Sequence, residues 1–409
     1  MANTIFLKKV ERKISGEITI SGSKSESNRL LMLNAVYDDV IHLKNISNSE
    51  DTQLLQKAIH SDSATHDIHH AGTAMRFLTA YFSVQEGREV TLTGSARMKE
   101  RPIGILVEAL RALGAEILYL EKEGFPPLKI KGKKIEKNSV ELSAEVSSQF
   151  ITALLLIAPR LPHGLNIKLH GKTTSLPYLE MSLSILNRLG IKAEKRNNFI
   201  RIEPIPEIKK QEFLVESDWS SASYYYSMVA LSKNASLRLN SFFENSVQGD
   251  SELVNIYKKY FGVETRFEKG QIQLIKNPDF VAQPFNLNLN ATPDIAQTLA
   301  VTCAGLKLKV KLSGLETLKI KETDRLTALK NELKKLGVET LITKNSLEII
   351  NFFEPDQIPT IKTYHDHRMA MSFAPLALIQ NIEIENPEVV EKSYPDFWKD
   401  LVAVGFIIA

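Results

Sequence analysis

Residues 220–264, SSASYYYSMVALSKNASLRLNSFFENSVQGDSELVNIYKKYFGVE, contain the plan on which the chain is built. A hydroxyl-rich start leads into an apolar helical stretch, SSASYYYSMVAL. The run SLRLNSF then alternates apolar and polar residues, as a half-buried strand does. The segment VNIYKKYFG predicts an amphipathic second helix that ends at a glycine. One such segment therefore supplies two helices and the strands between and after them.

The same plan occurs six times along the chain. The first helix of each repeat is predicted to begin near Lys24, Gly72, Ser147, Ser220, Asp294 and His367. From Gly72 onward these starts recur every 73 to 75 residues. Glycines that close the second helices follow the same period, at Gly114, Gly190, Gly262, Gly337 and Gly405. A spacing this regular indicates an internal structural repeat.

The repeats, each roughly βαβα with extra strands, predict an α/β (α+β) fold of six units in two domains. The first repeat is shortened, because only 48 residues separate Lys24 from Gly72, and a strand hairpin is expected to be missing there. Residues 21–216 are predicted to form one three-repeat domain. Residues 217–409 form the other, together with residues 1–20, which supply a strand to the last repeat. The chain then crosses between the domains twice, through a two-strand hinge.

Composition restricts the classes of function. The 51 Lys and Arg residues nearly balance 48 Asp and Glu residues, so the net charge of +3 does not suggest a nucleic-acid-binding face. Cys303 is the only cysteine, which excludes an intrachain disulfide and fits a reducing cytosol. The N-terminus does not read as a signal peptide, and the most apolar run, residues 150–159, is too short to span a membrane. We expect a cytoplasmic protein without nucleic-acid or membrane partners.

The stretch GSKSESNRLL, residues 22–31, resembles part of an ATP-binding loop but fails its spacing. The Walker loop needs a glycine, four residues and then Gly-Lys-Ser/Thr, whereas Ser23 separates Gly22 from Lys24. What remains is a cationic, hydroxyl-rich helix start, where free backbone N–H groups favour an anion.

Polar and cationic residues collect at the same point of each repeat. First-helix starts contain Lys24, Ser25, Arg29, Gly72, Thr73, Arg76, Ser147, Ser148, Gln149, Asp294, His367 and Arg368. Second-helix starts contain Arg97, Lys99, Arg101, Lys321, Glu322, Arg325 and Lys392. A single charge of this kind is equally well explained as a surface ion pair. A set that recurs with the repeat indicates a site for small, multiply charged anions, since several converging charge-assisted bonds are needed to hold one.

The segment KIKETDRLTAL, residues 319–329, has two interpretations. If a helix begins at its first charged residues, Lys321 and Arg325 share one helix face. Alternatively Thr323 or Asp324 caps the helix and Glu322 is a solvated charge.

Asp294 and His367 raise similar alternatives. Asp294 follows a proline and is either an ordinary carboxylate at a helix start or, with Glu322, one of an acid–base pair. His365, Asp366 and His367 could ligate a metal, but no second ligand motif stands at metal-like spacing. We therefore expect no metal, and Asp366 beside Arg368 better suits an anion site.

Nine motifs in order resemble the 5-enolpyruvylshikimate-3-phosphate (EPSP) synthase family. They are GSKSESNR, AGTAMR, ARMKERPI, VSSQF, SDWSSASYY, PDIAQT, KETDRL, DHRMAM and EKSYPDFW, and they span nearly the whole chain. The resemblance implies a two-domain inside-out α/β barrel, the enolpyruvyl transferase fold, with six βαβαββ-like repeats, three in each domain. This agrees with the repeat found independently.

The resemblance also implies a reaction: the enolpyruvyl group of phosphoenolpyruvate moves to the 5-hydroxyl of shikimate 3-phosphate, without a metal or other cofactor. By motif match, shikimate 3-phosphate contacts Lys24, Ser25, Arg29, Ser147, Ser148, Gln149, Ser175, Tyr178, Asp294, Thr317 and Lys321. Phosphoenolpyruvate contacts Lys24, Gly72, Arg97, Gln149, Arg325, Arg368 and Lys392. Asp294 is the expected base and Glu322 the expected acid, with Lys24 able to share either proton transfer. We expect a monomer that glyphosate inhibits in competition with phosphoenolpyruvate.

Three residues depart from the family's pattern. His70 stands where asparagine is usual, Phe77 where proline is usual, and Thr317 where asparagine often touches shikimate. A related enzyme acts on UDP-N-acetylglucosamine, but it uses a loop cysteine, and the corresponding segment GSARMKERP has none. A noncatalytic anion-binding repeat protein is the other alternative, and the paired Asp294 and Glu322 argue against it.

Overall fold

The computed structural model describes residues 3–143, 148–171, 176–355 and 357–409, with Ile320 described by its backbone alone. The chain forms two compact units. We call residues 22–215 the central unit, and residues 1–21 with 216–409 the terminal unit. The domain boundaries and hinge predicted above stay predictions.

The strands are numbered in chain order. They are β1 (Thr4–Lys8), β2 (Lys13–Ile18), β3 (Ile41–Lys44), β4 (Thr65–Asp67), β5 (Glu89–Thr93), β6 (Glu116–Tyr119), β7 (Leu128–Lys131), β8 (Ser139–Ser143), β9 (Leu165–His170), β10 (Ala193–Arg196), β11 (Phe199–Ile202), β12 (Gln211–Leu214), β13 (Asn234–Asn240), β14 (Val263–Glu268), β15 (Gln271–Lys276), β16 (Phe285–Asn288), β17 (Val310–Ser313), β18 (Val338–Ile342), β19 (Ser346–Phe352), β20 (Thr360–Ile361), β21 (Ile382–Glu385) and β22 (Ile407–Ile408).

The α-helices are α1 (Lys24–Val36), α2 (Glu50–Ile59), α3 (Gly72–Ser83), α4 (Ala96–Lys99), α5 (Gly104–Leu113), α6 (Ser148–Ile157), α7 (Leu176–Arg188), α8 (Trp219–Leu231), α9 (Leu253–Phe261), α10 (Ala296–Gly305), α11 (Arg325–Lys335), α12 (His367–Phe373) and α13 (Phe397–Ala403). Short 3-10 turns cover Ala158–Arg160, Gly249–Glu252, Pro293–Ile295, Glu316–Ile320, Ala374–Leu378 and Pro387–Lys392. No described helix combines the length and the apolar character needed to cross a membrane.

The described residues of the terminal unit form three four-stranded sheets of one plan. Each joins a parallel pair to two antiparallel pairings, in the orders β14-β15-β13-β2, β16-β17-β19-β18 and β20-β21-β1-β22. In the third sheet β1 pairs antiparallel with β21 and β22, so strands from both ends of the chain replace the local hairpin. This confirms that the N-terminal segment supplies a strand to the last repeat.

The central unit repeats this plan twice and abbreviates it once. Its four-stranded sheets have the orders β4-β5-β7-β6 and β10-β11-β9-β8, again with one parallel pair each. The third sheet consists of β3 and β12 alone, paired parallel, and among the described residues no hairpin accompanies them. The predicted shortening of the first repeat is therefore confirmed, and its missing part is the antiparallel hairpin.

The first helices of the repeats lie inside the units. Helices α8, α10 and α12 are buried almost all round, which explains why their sequences lack a charged face. One hydroxyl group from each helix joins the three: Ser223 Oγ lies 3.0 Å from Thr298 Oγ1, which lies 3.2 Å from Ser372 Oγ. The tyrosines of the SYYYS run, residues 223–227, lie in the core, and Cys303 is also buried, in α10.

The predicted helix starts that lie in the described residues hold to within two residues. Helices α1, α3 and α12 begin at Lys24, Gly72 and His367, and α8 begins one residue before Ser220. Asp294 instead lies in the 3-10 turn Pro293–Ile295, and α10 begins only at Ala296. Asp294 is thus held outside the helix, on the turn that leads into it.

The five glycines predicted to end the second helices all have positive φ: Gly114 (115°), Gly190 (85°), Gly262 (63°), Gly337 (73°) and Gly405 (105°). Only glycine enters this region without strain. At Gly337 a side chain meets a second obstacle, because an added Cβ would lie 2.1 Å from the backbone oxygen of Phe353.

We expect Gly337→Ala to lower the free energy of unfolding by at least about 2 kcal/mol, since backbone strain and a backbone clash act together. Gly405→Ala, in the same unit, is the matched control: no atom lies within 4 Å of its added Cβ, so only the strain of its positive φ remains, about 1 kcal/mol. Urea unfolding followed by circular dichroism measures both. Equal losses would contradict the clash.

Candidate active site

Arg325, the first residue of α11, is the centre of a charge cluster in the terminal unit. Its Nε lies 2.7 Å from Asp366 Oδ2, its Nη2 2.9 Å from Glu322 Oε2, and its Nη1 3.3 Å from Asp294 Oδ1. Burial disfavours its charge, but the surrounding carboxylates outweigh burial and raise the Arg325 pKa above its usual range. The guanidinium is therefore permanently charged and joins three carboxylates from three segments of the chain.

The start of α11 decides between the two interpretations of KIKETDRLTAL. The helix begins at Arg325, and Asp324 caps it by accepting hydrogen bonds from the Leu326 and Thr327 N–H groups, both at 3.2 Å. The interpretation in which the helix begins near Lys321 is wrong, because the capping Asp324 sets the start four residues later, at Arg325. The capping alternative is confirmed for Asp324, but Glu322 is not a solvated charge.

Glu322 is a half-buried acceptor between two cations. Besides Arg325, its Oε1 lies 3.0 Å from Lys392 Nζ, and the two side chains are 17% and 12% exposed. Lys392 comes from the turn Pro387–Lys392, in the last repeat. The structure thus brings together the predicted acid and a predicted phosphoenolpyruvate ligand from different repeats.

Asp294 is surrounded by cations. Its carboxylate lies 3.3 Å from Arg325 Nη1, 3.3 Å from Arg368 Nη2 and 3.7 Å from Lys321 Nζ. Arg368 Nη1 also donates to the backbone oxygen of Asp294 (2.9 Å). Asp294 is therefore not an ordinary helix-start carboxylate, and all four predicted cations of this unit contact Asp294 or Glu322.

Asp366 binds Arg325 of the cluster from the start of α12, and it is not placed as a metal ligand. It is fully buried, caps α12 by accepting from the Arg368 N–H (2.9 Å), and holds Arg325. In the described part of the chain, no group of three metal-ligating side chains lies together. Thr317, a predicted shikimate contact, lies nearby in sequence on the turn Glu316–Ile320, and its buried Oγ1 has no hydrogen-bond partner among the described residues.

In the central unit Lys24 begins α1, with Ser23 as its cap. Its Nζ lies 3.4 Å from Oδ2 of Asp51, which is 5% exposed and belongs to the first turn of α2. Asp51 is a partner of a predicted site residue, and sequence reasoning missed it. It stands at a second-helix start, the same repeat position as the predicted cations, and that position was the signal that could have found it.

Arg29, on the same helix as Lys24, is held by three hydrogen bonds. Its guanidinium donates to Ser182 Oγ (2.8 Å), the Ser25 backbone oxygen (2.7 Å) and the Tyr178 backbone oxygen (3.2 Å). Burial lowers the Arg29 pKa to about 10, so the side chain remains charged at neutral pH. Phe77, which departs from the family's pattern, packs its ring 5.8 Å from this guanidinium. Ser25, Arg29 and Tyr178 thus lie together as predicted ligands of one substrate.

A second group in the central unit surrounds the start of α3. Gln149 Nε2 donates to Thr73 Oγ1 (3.1 Å), which joins α6 to α3. The space beside Gly72 is filled by Arg101, whose Nη1 would lie 2.3 Å from an added Cβ. His70 Nδ1 is 2.7 Å from Ser95 Oγ, so this departure from the family's pattern has a structural partner.

The remaining predicted ligands of this unit are less constrained. Arg97, on α4, is half exposed and pairs with Glu100 at 2.8 Å. Ser148 begins α6 and is buried. Ser147 and Ser175 lie outside the described residues.

We expect Arg325→Gln to lower the free energy of unfolding of the terminal unit by about 3–5 kcal/mol, because it leaves buried carboxylates without their shared cation. Asp324→Ala, at the adjacent residue, removes only a helix cap and is expected to cost about 1 kcal/mol. Thermal and urea unfolding compare the two variants. If Arg325→Gln costs no more than Asp324→Ala, the cluster does not depend on this guanidinium.

Comparisons with known proteins agree with the motifs. A family model described as EPSP synthase (3-phosphoshikimate 1-carboxyvinyltransferase) matches residues 8–64 and 55–401. A 3-phosphoshikimate 1-carboxyvinyltransferase of Bacteroides fragilis strain YCH46 is 44% identical over 409 residues, which cover 98% of each chain. One of Colwellia psychrerythraea is 34% identical over 424 residues, covering 96% of this chain and 97% of that protein.

Solved structures share the fold at low sequence identity. An EPSP synthase from Acinetobacter baumannii has a TM-score of 0.79 at 20% identity and covers 99% of both chains. The enolpyruvyl transferase NikO from Streptomyces tendae has a TM-score of 0.75 at 14% identity, covering 100% of this chain and 99% of that one. The predicted enolpyruvyl transferase fold is confirmed. With the full-length relatives and the family model, these findings establish that the chain belongs to the EPSP synthase family.

Proposed function

We infer that the protein transfers the enolpyruvyl group of phosphoenolpyruvate to the 5-hydroxyl of shikimate 3-phosphate and releases phosphate. The observation that carries this conclusion is the pair Asp294 and Glu322, held among four cations in a chain 44% identical over its full length to a named 3-phosphoshikimate 1-carboxyvinyltransferase. Two carboxylates can divide acid and base roles, and the cations suit substrates that carry phosphate and carboxylate groups.

The proposed reaction begins with a proton transfer. Glu322 gives a proton to the methylene carbon of phosphoenolpyruvate, which leaves cationic character on C2. The oxygen of the 5-hydroxyl attacks C2, and Asp294 accepts that hydroxyl's proton. The phosphate then leaves C2 with the bonding electron pair, while the new methyl group returns a proton to Glu322 and the double bond forms again. Lys24 is the alternative carrier for either transfer.

The contacts around the two carboxylates support these roles. Lys392 contacts Glu322, and Arg368 contacts Asp294. When either cation turns to an anionic substrate, its carboxylate loses a partner and takes up a proton more readily. Substrate binding thereby prepares both groups for proton transfer. The cations are already oriented, which favours stabilisation of the developing charge.

The remaining proposed contacts follow the motif matches. Lys24, Ser25, Arg29, Ser147, Ser148, Gln149, Ser175, Tyr178, Asp294, Thr317 and Lys321 are proposed for shikimate 3-phosphate. Lys24, Gly72, Arg97, Gln149, Arg325, Arg368 and Lys392 are proposed for phosphoenolpyruvate. We also propose that the protein acts as a cytoplasmic monomer, which sedimentation and cell fractionation can test.

The alternative acceptor UDP-N-acetylglucosamine is not favoured. The single cysteine, Cys303, is buried in α10, and burial raises the pKa of its thiol far above the usual range. A thiol of this kind is inert, so it cannot serve as the loop cysteine of that enzyme.

Phosphate release with each acceptor tests the proposed function. We expect release from phosphoenolpyruvate with shikimate 3-phosphate, in the presence of a metal chelator, and none with UDP-N-acetylglucosamine. Release with only the UDP-sugar would favour the related enzyme, and release with neither would favour a noncatalytic binder.

Asp294→Ala and Glu322→Gln are each expected to lower kcat by about 10²–10⁴-fold, because each removes a proton-transfer group. Glu354→Gln is the control, since this exposed residue pairs only with Lys307 in the contacts described. Steady-state phosphate release measures all three. Unchanged turnover in both active-site variants would refute the acid and base assignments.

A further inference from the structure

A second buried carboxyl group stands behind the cluster just described. Asp250 lies on the turn Gly249–Glu252, ahead of α9, and is only 7% exposed. Its Oδ2 accepts a hydrogen bond from Ser220 Oγ, at the start of α8. No step of the proposed reaction uses either residue.

Ser220 connects this carboxyl group to the site. Arg368 Nη2 lies 3.4 Å from Ser220 Oγ, and the same nitrogen lies 3.3 Å from Asp294 Oδ2. The Arg368 guanidinium therefore stands between the proposed base on one side and the Ser220–Asp250 pair on the other. A change on the Asp250 side can alter how Arg368 is shared.

We propose that Asp250 is a positioning residue for the reaction, which acts through Ser220 to set how firmly Arg368 is held away from the substrate. The proposal rests on the proposed function, because Arg368 is assigned there to phosphoenolpyruvate. It assigns no substrate contact to Asp250 itself.

How firmly Arg368 is held depends on the charge of Asp250, which changes with pH. Burial raises the Asp250 pKa to about 7; the nearby Asp294 and Asp218 carboxylates add to the rise, while Arg368 and the Ser220 hydrogen bond oppose it. Asp250 is thus mostly neutral below about pH 7 and mostly ionised above it. These four residues are the charged and hydrogen-bonding groups that face it.

The direction of the effect follows from the hydrogen bonds. Ionised Asp250 is an acceptor only, so Ser220 must donate its hydroxyl hydrogen to it and present its oxygen to Arg368. Donation then runs one way, from Arg368 to Ser220 to Asp250, and each bond strengthens the next. Arg368 is held more firmly on this side, and phosphoenolpyruvate is bound less well. Neutral Asp250 relaxes that hold.

The first test is the pH dependence of KM for phosphoenolpyruvate between about pH 6 and pH 8. We expect KM for phosphoenolpyruvate to rise between these two pH values in the unaltered protein, by a factor about threefold larger than in Asp250→Asn. The effect on kcat should be smaller. Titration of the substrate's own phosphate is common to every variant, so the difference between variants isolates Asp250. Glu252→Gln, an exposed acid on the same turn, is the matched control and should follow the unaltered profile.

Ser220→Ala and Ser220→Thr separate positioning from folding. Ser220→Ala keeps the Asp250 carboxyl group but breaks the connection, so it should remove the additional rise in KM. Ser220→Thr keeps the hydroxyl and should restore it. If Asp250→Asn does not fold, the two Ser220 variants test the proposal without it. The proposal would be overturned if KM depended on pH in both variants as it does in the unaltered protein.

A spectroscopic titration distinguishes this proposal from the proposed function. We expect the ¹³C carboxyl signal of Asp250, assigned with Asp250→Asn, to titrate near pH 7. The ¹⁵N side-chain signals of Arg368 should follow the same curve, but not in Ser220→Ala. An absence of phosphate release would refute the proposed function whatever the titration shows. If the Arg368 signals do not change while Asp250 titrates, the positioning role is overturned even in an active enzyme.

Discussion

The terminal unit is organised around one buried cation. Arg325 bonds to Asp366, Glu322 and Asp294, which come from the starts of three different helices or turns, and it is 2% exposed. A guanidinium can satisfy several carboxylates at fixed angles, which an ammonium group cannot do. The cation therefore fixes where the proposed acid and base stand relative to each other. Its burial also makes it costly to replace, since each carboxylate around it would lose a partner in a poorly solvated site.

The repeat explains why such a cluster can form. The first helix of each repeat packs inside its unit, and the strands and second helix occupy equivalent positions in each repeat. Equivalent helix starts from successive repeats therefore come together. Arg325, from the same repeat as Asp294, and Arg368, from the next repeat, both contact Asp294. The first repeat lacks its hairpin but keeps α1 and α2, and Lys24 and Asp51 at their starts still form an ion pair. The first repeat thus keeps its helix starts although it lacks the two strands of the hairpin.

Periodic features could be predicted from the sequence, and local charge geometry could not. The period of 73 to 75 residues, the positive-φ glycines and the buried SYYYS helix depend on hydrophobic pattern and on backbone conformations that few residues tolerate. The start of α11 depended on whether Asp324 or an earlier residue capped it, and propensity alone favoured neither. Asp51 and Asp250 were not identified from the sequence, because aspartate side chains are usually exposed to solvent. Only the packed structure shows that these two are buried and which residues surround them.

The pairing of β1 with β21 has a consequence for the order in which the protein folds. Thr4 lies opposite Glu385 and Leu7 opposite Ile382, so nearly the whole chain separates these partners. Contacts of such long range are slow to form, since the intervening chain must be ordered or closed into a loop first. On the ribosome the first strand therefore waits until synthesis has almost reached the last repeat. The central unit, whose strands all pair within residues 22–215, can complete its sheets during that delay.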